Sequence, residues 1–253
     1  MVQLQIVPTT PKERARRKRR QQFLAAAASI VGDAGPDALT MAALAERCDC
    51  AVGTAYSYFP SKSALLAAVA RNSVDTLRRS QLAARGEWES YLEARRVGEE
   101  EAALVRLVAF GAFVVASSLA YPHEVAMLQV LLGDHRADLA DAEVDSCLPA
   151  LTTFLEEPAS LVRLAEGVGA LAAGDATERA ILWLVALNGV LLSEGLARLA
   201  PGVVRTPHLA RRLSSDLLVA WGADADRLAR ASGHVERLAA ITPLAPPVDP
   251  VDL

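Results

Sequence analysis

The sequence predicts an all-α protein, and three observations carry that expectation. Hydrophobic residues make up 52% of the 253-residue chain, while aromatics contribute 5% and glycines number 15; this Ala- and Leu-rich composition favours helices over sheets. Apolar residues recur at helical spacing in several stretches, such as Phe23, Leu24, Ala27, Ala28, Ile30 and Val31. No β-rich run stands between them.

Thr10-Pro11-Lys12-Glu13 reads as the first helix start, with Thr as N-cap, Pro at the first helical position and Glu closing a capping box. This helix carries a basic run, Arg14 to Arg20, ahead of its apolar face, and the segment Gly32 to Pro36 ends it. Thr40 caps a second helix over Met41–Cys48, with Leu39 able to staple onto Leu44. Asp49 falls in a tight turn. A third short helix runs to about Phe59, Pro60 breaks it, and Ser61 caps a fourth through Leu65, Leu66, Val69 and Leu77. Two short helices joined by a tight turn behind a basic helix are the parts of a helix-turn-helix domain.

Beyond about residue 85 the sequence predicts long helices broken at Tyr121-Pro122, Gly133, Glu157-Pro158, Gly174-Asp175, Pro201-Gly202 and Thr206-Pro207. The expected organisation is a flexible extension over 1–11, a DNA-binding domain over 12–79, a helical body over 80–240 and a tail over 241–253. The tail, ITPLAPPVDPVDL, holds four prolines in 13 residues and reads as extended or disordered.

Charge points to a partner. Residues 1–80 carry 12 Lys/Arg against 6 Asp/Glu, whereas the rest carries 14 against 24. A basic end on an acidic remainder suits a protein that offers that end to a polyanion, and double-stranded DNA is the first candidate. Cys48, Cys50 and Cys147 form no disulfide framework, which fits a reducing, cytoplasmic setting. The N-terminus lacks the pattern of a signal peptide. The apolar stretch 102–121 contains Arg106 and Ser117-Ser118 and reads as a buried bundle helix rather than a membrane span. The four His lie in no metal-ligand spacing, and Asp134-His135 beside Asp138 and Asp141 reads as an exposed helix start. No nucleophile motif or phosphate loop appears. No catalytic residue, metal or cofactor is expected.

The stretch TMAALAERCDCAVGTAYSYFPSK, residues 40–62, carries a recognisable pattern. With Thr40, Leu44, Ala45, Cys48, Gly53, Thr54, Tyr56, Tyr58, Phe59, Ser61, Lys62 and Leu65 in register, it resembles the tetracycline-repressor-like (TetR) transcription regulators over about residues 16–77. The remainder is similar in architecture alone. The residues agree physically with that resemblance: Gly53 removes a side chain where backbone would approach DNA. Thr54, Tyr56, Ser57 and Tyr58 present hydroxyls, and Lys62 offers a phosphate contact.

The DNA-facing set expected is Arg16, Arg17, Arg20, Thr40, Ala51, Val52, Gly53, Thr54, Tyr56, Ser57, Tyr58 and Lys62. Asp49 stands where the family carries Gly, and Ala51 where it carries Ser, so either Ala51 or Asp49 could sit at the cap of the third helix. Cys48 and Cys50 occupy positions where the family has small apolar residues and read as packing, with a redox or metal switch as the alternative.

The resemblance further implies a homodimer closed through helices near 176–199 and 207–222, a small hydrophobic effector and repression of transcription. Trp183, Asn188, Leu191, Leu218 and Trp221 are the expected dimer residues. Phe110, Phe113, Ser117, Tyr121, Met127, Phe154 and Trp183 are the expected ligand pocket. Competing functions are an architectural DNA binder without effector, and a helical small-molecule-binding protein or enzyme anchored to DNA.

Overall fold

A computed structural model describes residues 10–132, 141–193 and 205–248, and all of its regular structure there is helical. The expected breaks at Gly133 and Pro201-Gly202, the Asp134-His135 segment and most of the extension 1–11 lie outside the described residues.

Helix α1, Pro11–Ala34, begins as expected: Thr10 accepts from the Glu13 amide at 3.2 Å while Glu13 Oε2 accepts from the Thr10 amide at 2.7 Å. Gly35 ends it at φ 83°. Helix α2, Met41–Arg47, is capped by the Thr40 hydroxyl on the Ala43 amide. Helix α3 spans Val52–Tyr58, and helix α4 runs from Lys62 to Arg95 behind a Ser61 cap. These four bury one core, in which Phe23, Leu39, Leu44, Ala55, Phe59 and Leu65 are each at most 2% exposed.

The body adds α5 (Glu99–Ala120), α6 (Pro122–Leu132), α7 (Asp141–Gly167), α8 (Ala176–Leu192), α9 (Thr206–Ala220) and α10 (Ala225–Ala239). Helix α5 is long and apolar enough to cross a membrane, yet it is the central core helix, packed against α4, α7, α8, α9 and α10. Phe110 and Phe113 of α5 are about 1% exposed, and Phe110 stacks on Trp183 of α8 at 5.5 Å. Gly111 is needed there, because a Cβ would come within 3.1 Å of the Trp183 ring and the Ser214 hydroxyl. Trp183 Nε1 donates to that hydroxyl at 2.9 Å, so the buried indole is satisfied and α8 is tied to α9.

Three sequence expectations change. The Glu157-Pro158 break is absent: α7 continues through Pro158, although proline in a helix interior costs roughly 3 kcal/mol. Packing holds the helix together, since Ala159, Leu161, Val162 and Ala165 just beyond it are at most 1% exposed and the Glu157 carboxylate accepts from Arg85 and Gln81 of α4. The tail is non-helical, as expected, and through Val248 it is fixed on the body. Ala245 is buried, and the Pro246 carbonyl accepts from Ser80 at 2.7 Å and Tyr121 at 2.6 Å. The boundary expected at 79/80 falls inside the single helix α4.

Polar ties lock the body helices onto α4. Arg106 of α5 grips Glu89 with two hydrogen bonds, 2.8 and 2.6 Å. On α10, Arg237 donates to the Tyr91 oxygen, Tyr91 and His234 Nδ1 are hydrogen-bonded at 3.0 Å, and His234 Nε2 donates to the acceptor-only Glu101 carboxylate. The hydrogen bond from Arg106 holds the Glu89 carboxyl below its ordinary value. A depressed folded pKa means the pair stabilises above the unfolded Glu value of about 4.3 and is lost as pH falls through the lower folded value. Glu89→Gln should therefore flatten the acid limb of stability below about pH 4.3, read by thermal unfolding from pH 6 to pH 3; an unchanged limb would show the pair contributes nothing.

Candidate nucleic-acid interface

Helix α3 is seven residues long and presents one outward face. Ala51, Val52, Gly53, Thr54, Tyr56 and Ser57 are exposed, Tyr56 at 50%, while Ala55 and Phe59 are buried beneath them at 0 and 2%. The i, i+4 spacing of Ala55 and Phe59 is what turns the remaining residues outward. Ala51 is the N-cap, extended at φ −66° and ψ 144° with no side-chain cap bond, which resolves the start of the helix. Asp49 adopts φ 47°, the left-handed conformation that the family's Gly would take without cost. Its turn is pinned by the Cys50 amide on the Ala45 carbonyl and by Arg19, which donates to the Cys48 carbonyl at 2.9 Å.

The basic run of α1 divides between two sides. Arg16 lies over the Tyr58 ring at 5.8 Å, Arg19 over Phe23 at 5.1 Å and Arg20 over Phe59 at 5.3 Å. The Arg16 and Arg20 guanidinium groups buttress α3 by cation–π contact, worth about 0.5–1 kcal/mol each at partly exposed sites, whereas the Arg19 contact lies within α1. Burial, then the Arg71 charge, pulls the Arg20 guanidinium below its ordinary value. Arg14, Arg17 and Lys18 line a separate cleft.

The expected DNA-facing residues therefore do not share one role. Ala51, Val52, Gly53, Thr54, Tyr56 and Ser57 make one patch, with the Ser57 hydroxyl donating to the Thr54 carbonyl. Thr40 is exposed but serves as the α2 cap. Half-buried Tyr58 is packed against Phe23 at 5.1 Å, and Lys62 is the first residue of α4. Arg19, which anchors the turn, was not among the expected contacts; its position one turn before Phe23 was the available signal. Burial pushes the Cys48 thiol above its ordinary value, which disfavours thiolate chemistry.

Residues 23–69 match the sequence model described as bacterial regulatory proteins, tetR family. This match to the tetR family covers the helix-turn-helix head, from α1 into α4. Its head is 52% identical over 52 residues to the HTH-type transcriptional repressor KstR of Mycolicibacterium smegmatis, covering 21% of this chain and 26% of that protein. The corresponding KstR of Mycobacterium tuberculosis is 50% identical over 52 residues, 21% of this chain and 24% of that one. The likeness thus spans about a quarter of these relatives. The TetR-like fold extends through the body. A solved TetR-family regulator from Mesorhizobium loti superposes with a TM-score of 0.55 at 17% identity, over 84% of this chain and 97% of that one. The fatty acid degradation regulator FadR from Bacillus halodurans gives 0.59 at 16%, over 86% and 100%.

In the body a cavity of about 220 Å³ lies between α4, α5, α6, α7 and α8. Phe113, Ser117 and Phe154 line it as expected, joined by Leu77, Leu128 and Asn188. Four expected lining residues are elsewhere. Phe110 is packed on Trp183 in the α5–α8 core, Trp183 turns its indole to Ser214, Tyr121 reaches the tail, and Met127, 0% exposed, belongs to the core of the head. The cavity's polar groups are the Ser117 hydroxyl, which donates to the Phe113 carbonyl, and the Asn188 carboxamide.

The expected dimer set also needs correction. Trp183, Leu218 and Leu191 are 0, 0 and 7% exposed, buried within their own chain. A Cβ on Gly189 would meet nothing within 4 Å, so Asn188-Gly189 permits no close helix approach inside the chain. Trp221 is half-buried under Arg179. The apolar residues left exposed away from the cavity are Leu182 and Leu192 on α8, with Leu209 and Val219 on α9.

A Cβ on Gly53 would likewise meet no atom within 4 Å. Gly53→Ala should fold and be neutral to about 1 kcal/mol more stable, since Gly is the poorer helix former; a clear loss in urea unfolding would show that Gly53 has an internal steric role.

Proposed function

We propose that this TetR-family chain is a DNA-binding transcriptional repressor that acts in the cytoplasm as a homodimer and leaves its operator when a small hydrophobic effector enters the body cavity. The observation that carries the DNA part is the exposed α3 face, a hydroxyl-rich patch around Gly53 with no side chain at its centre. Such a face fits the major groove, where hydroxyls reach phosphates and base edges while Lys62 holds the backbone. The KstR relatives, repressors by name, share this head.

The apolar residues left exposed on α8 and α9 support the dimer, because a patch of this kind on adjacent helices is what an isologous two-fold interface buries. Two heads related by that axis would sit about 34–36 Å apart on a near-palindromic site. The cavity supports the effector over a purely architectural role. Its walls are apolar apart from Ser117 and Asn188, so the ligand expected is acyl, aromatic or polycyclic, with a polar group within reach of the carboxamide.

Tyr56→Phe and Lys62→Ala should each weaken operator binding by about 1–3 kcal/mol without changing stability, as both side chains are largely free of the core. Gel-shift titrations with wild-type affinity for both would sink the DNA reading. Leu182→Arg should give monomers, Leu182 being 53% exposed and outside the cavity lining; a dimer persisting in sedimentation would move the interface elsewhere. Ser117→Trp should fill the cavity, keep operator binding and abolish release by an inducer. An inducer that releases the variant at unchanged concentration would place the effector site elsewhere.

A further inference from the structure

The prolines of the tail make it stiff. Pro243, Pro246 and Pro247 carry no amide hydrogen and hold φ at about −65°, and each drives the residue before it towards extended backbone. A segment with few conformations to lose docks at little entropic cost. It docks on the body, where Leu244 packs on the core and Ala245 is buried within it.

Two hydroxyls converge on one carbonyl of this segment. Ser80 of α4, 0% exposed, and Tyr121 both donate to the Pro246 oxygen, at 2.7 and 2.6 Å. Tyr121 is the single residue between α5 and α6, its amide donating to the Ser117 carbonyl and its carbonyl accepting from the Val125 amide. Ser117 and Val125 line the body cavity, and so does Leu77, one turn before Ser80 on α4. Pro246 therefore ties the α4 wall of the cavity to the corner at which its α5 and α6 walls meet.

We propose that the tail over 242–248 is a strap that limits how wide the cavity opens, which makes Ser80, Tyr121 and Pro246 determinants of the size of molecule it admits. That this molecule is an effector rests on the function proposed above; the strap stands on the contacts alone. A cavity of about 150 Å³ admits benzene, so one of about 220 Å³ suits a molecule of roughly two fused rings. A larger molecule must spread α4 from the α5–α6 corner and give up the bonds to Pro246. Its affinity is lower by what those bonds contribute.

The test is the full chain with Ser80→Ala and Tyr121→Phe together, which removes both donors and leaves the apolar packing. The probes are naphthalene and the bulkier neutral dye Nile red. The variant should bind Nile red about threefold to tenfold more tightly, the worth of the lost bonds, and naphthalene as the wild type does. Without any probe, its amide exchange over 122–128 should become faster. Unchanged exchange there would overturn the strap. Faster exchange with Nile red affinity unchanged, or with both probes gaining equally, would overturn the size limit. If the wild type binds neither probe, or Ser117→Trp leaves both affinities unchanged, the cavity part of the proposed function fails, while exchange still decides the strap.

Discussion

The rest of the structure depends on α4 being one unbroken helix. Its 34 residues span about 50 Å, from the Ser61 cap to Arg96, which closes the far end at φ 50°. Leu65 and Leu66 sit in the core of the head, whereas Ala84, Trp88 and Leu92 sit in the core of the body. Neither core is complete without this helix. A rod shared in this way lets the two parts tilt relative to each other but gives them no joint at which to move independently. Helix α6 makes the second connection. Met127 is buried in the core of the head while Val125 and Leu128, on either side, line the body cavity.

That geometry limits how an occupant of the cavity could act. Leu77 of α4 and Leu128 of α6 both line the space, so the two helices that reach the head also form its walls. A ligand has influence only through a difference in affinity between two arrangements of these walls. A difference of about 1–3 kcal/mol would change affinity for the other partner roughly 5–150-fold, and the same factor would apply in reverse. Because α4 is stiff, a small tilt at Leu77 is larger at Lys62, about 15 residues or 22 Å further along the rod.

The sequence made the head legible almost residue by residue. Caps, the Asp49 turn and the Ala55–Phe59 pair are local features, and local chemistry decides them. The body was legible only as helices, for three physical reasons. Pro158 is a local breaker that tertiary packing overrides. Helix α8 is apolar on most sides, so periodicity could not say that Leu191 turns inward while Leu182 turns out. Pocket residues were chosen as aromatics near one another in sequence, and Tyr121 and Met127 instead answer to partners far away, Pro246 and the core of the head. Those partners are set by topology, which a single chain of letters does not show.

The short helix α3 illustrates how far local chemistry can be outweighed. Seven residues are too few for an isolated helix to be stable, and Ala51 supplies no capping oxygen. Asp49 holds a backbone angle that costs a non-glycine residue roughly 1–2 kcal/mol. The deficit is met from α1: Arg19 fixes the turn through the Cys48 carbonyl, and Arg16 and Arg20 cover the rings of Tyr58 and Phe59. A planar guanidinium can stack on a ring and donate several hydrogen bonds at once, which a lysine ammonium cannot reproduce. Three members of the basic run are therefore arginines for a structural reason, and the positive charge they bring to that end of the head is a second property of the same side chains. The shape of the interface and its electrostatics depend on one helix, so neither can be altered there without the other.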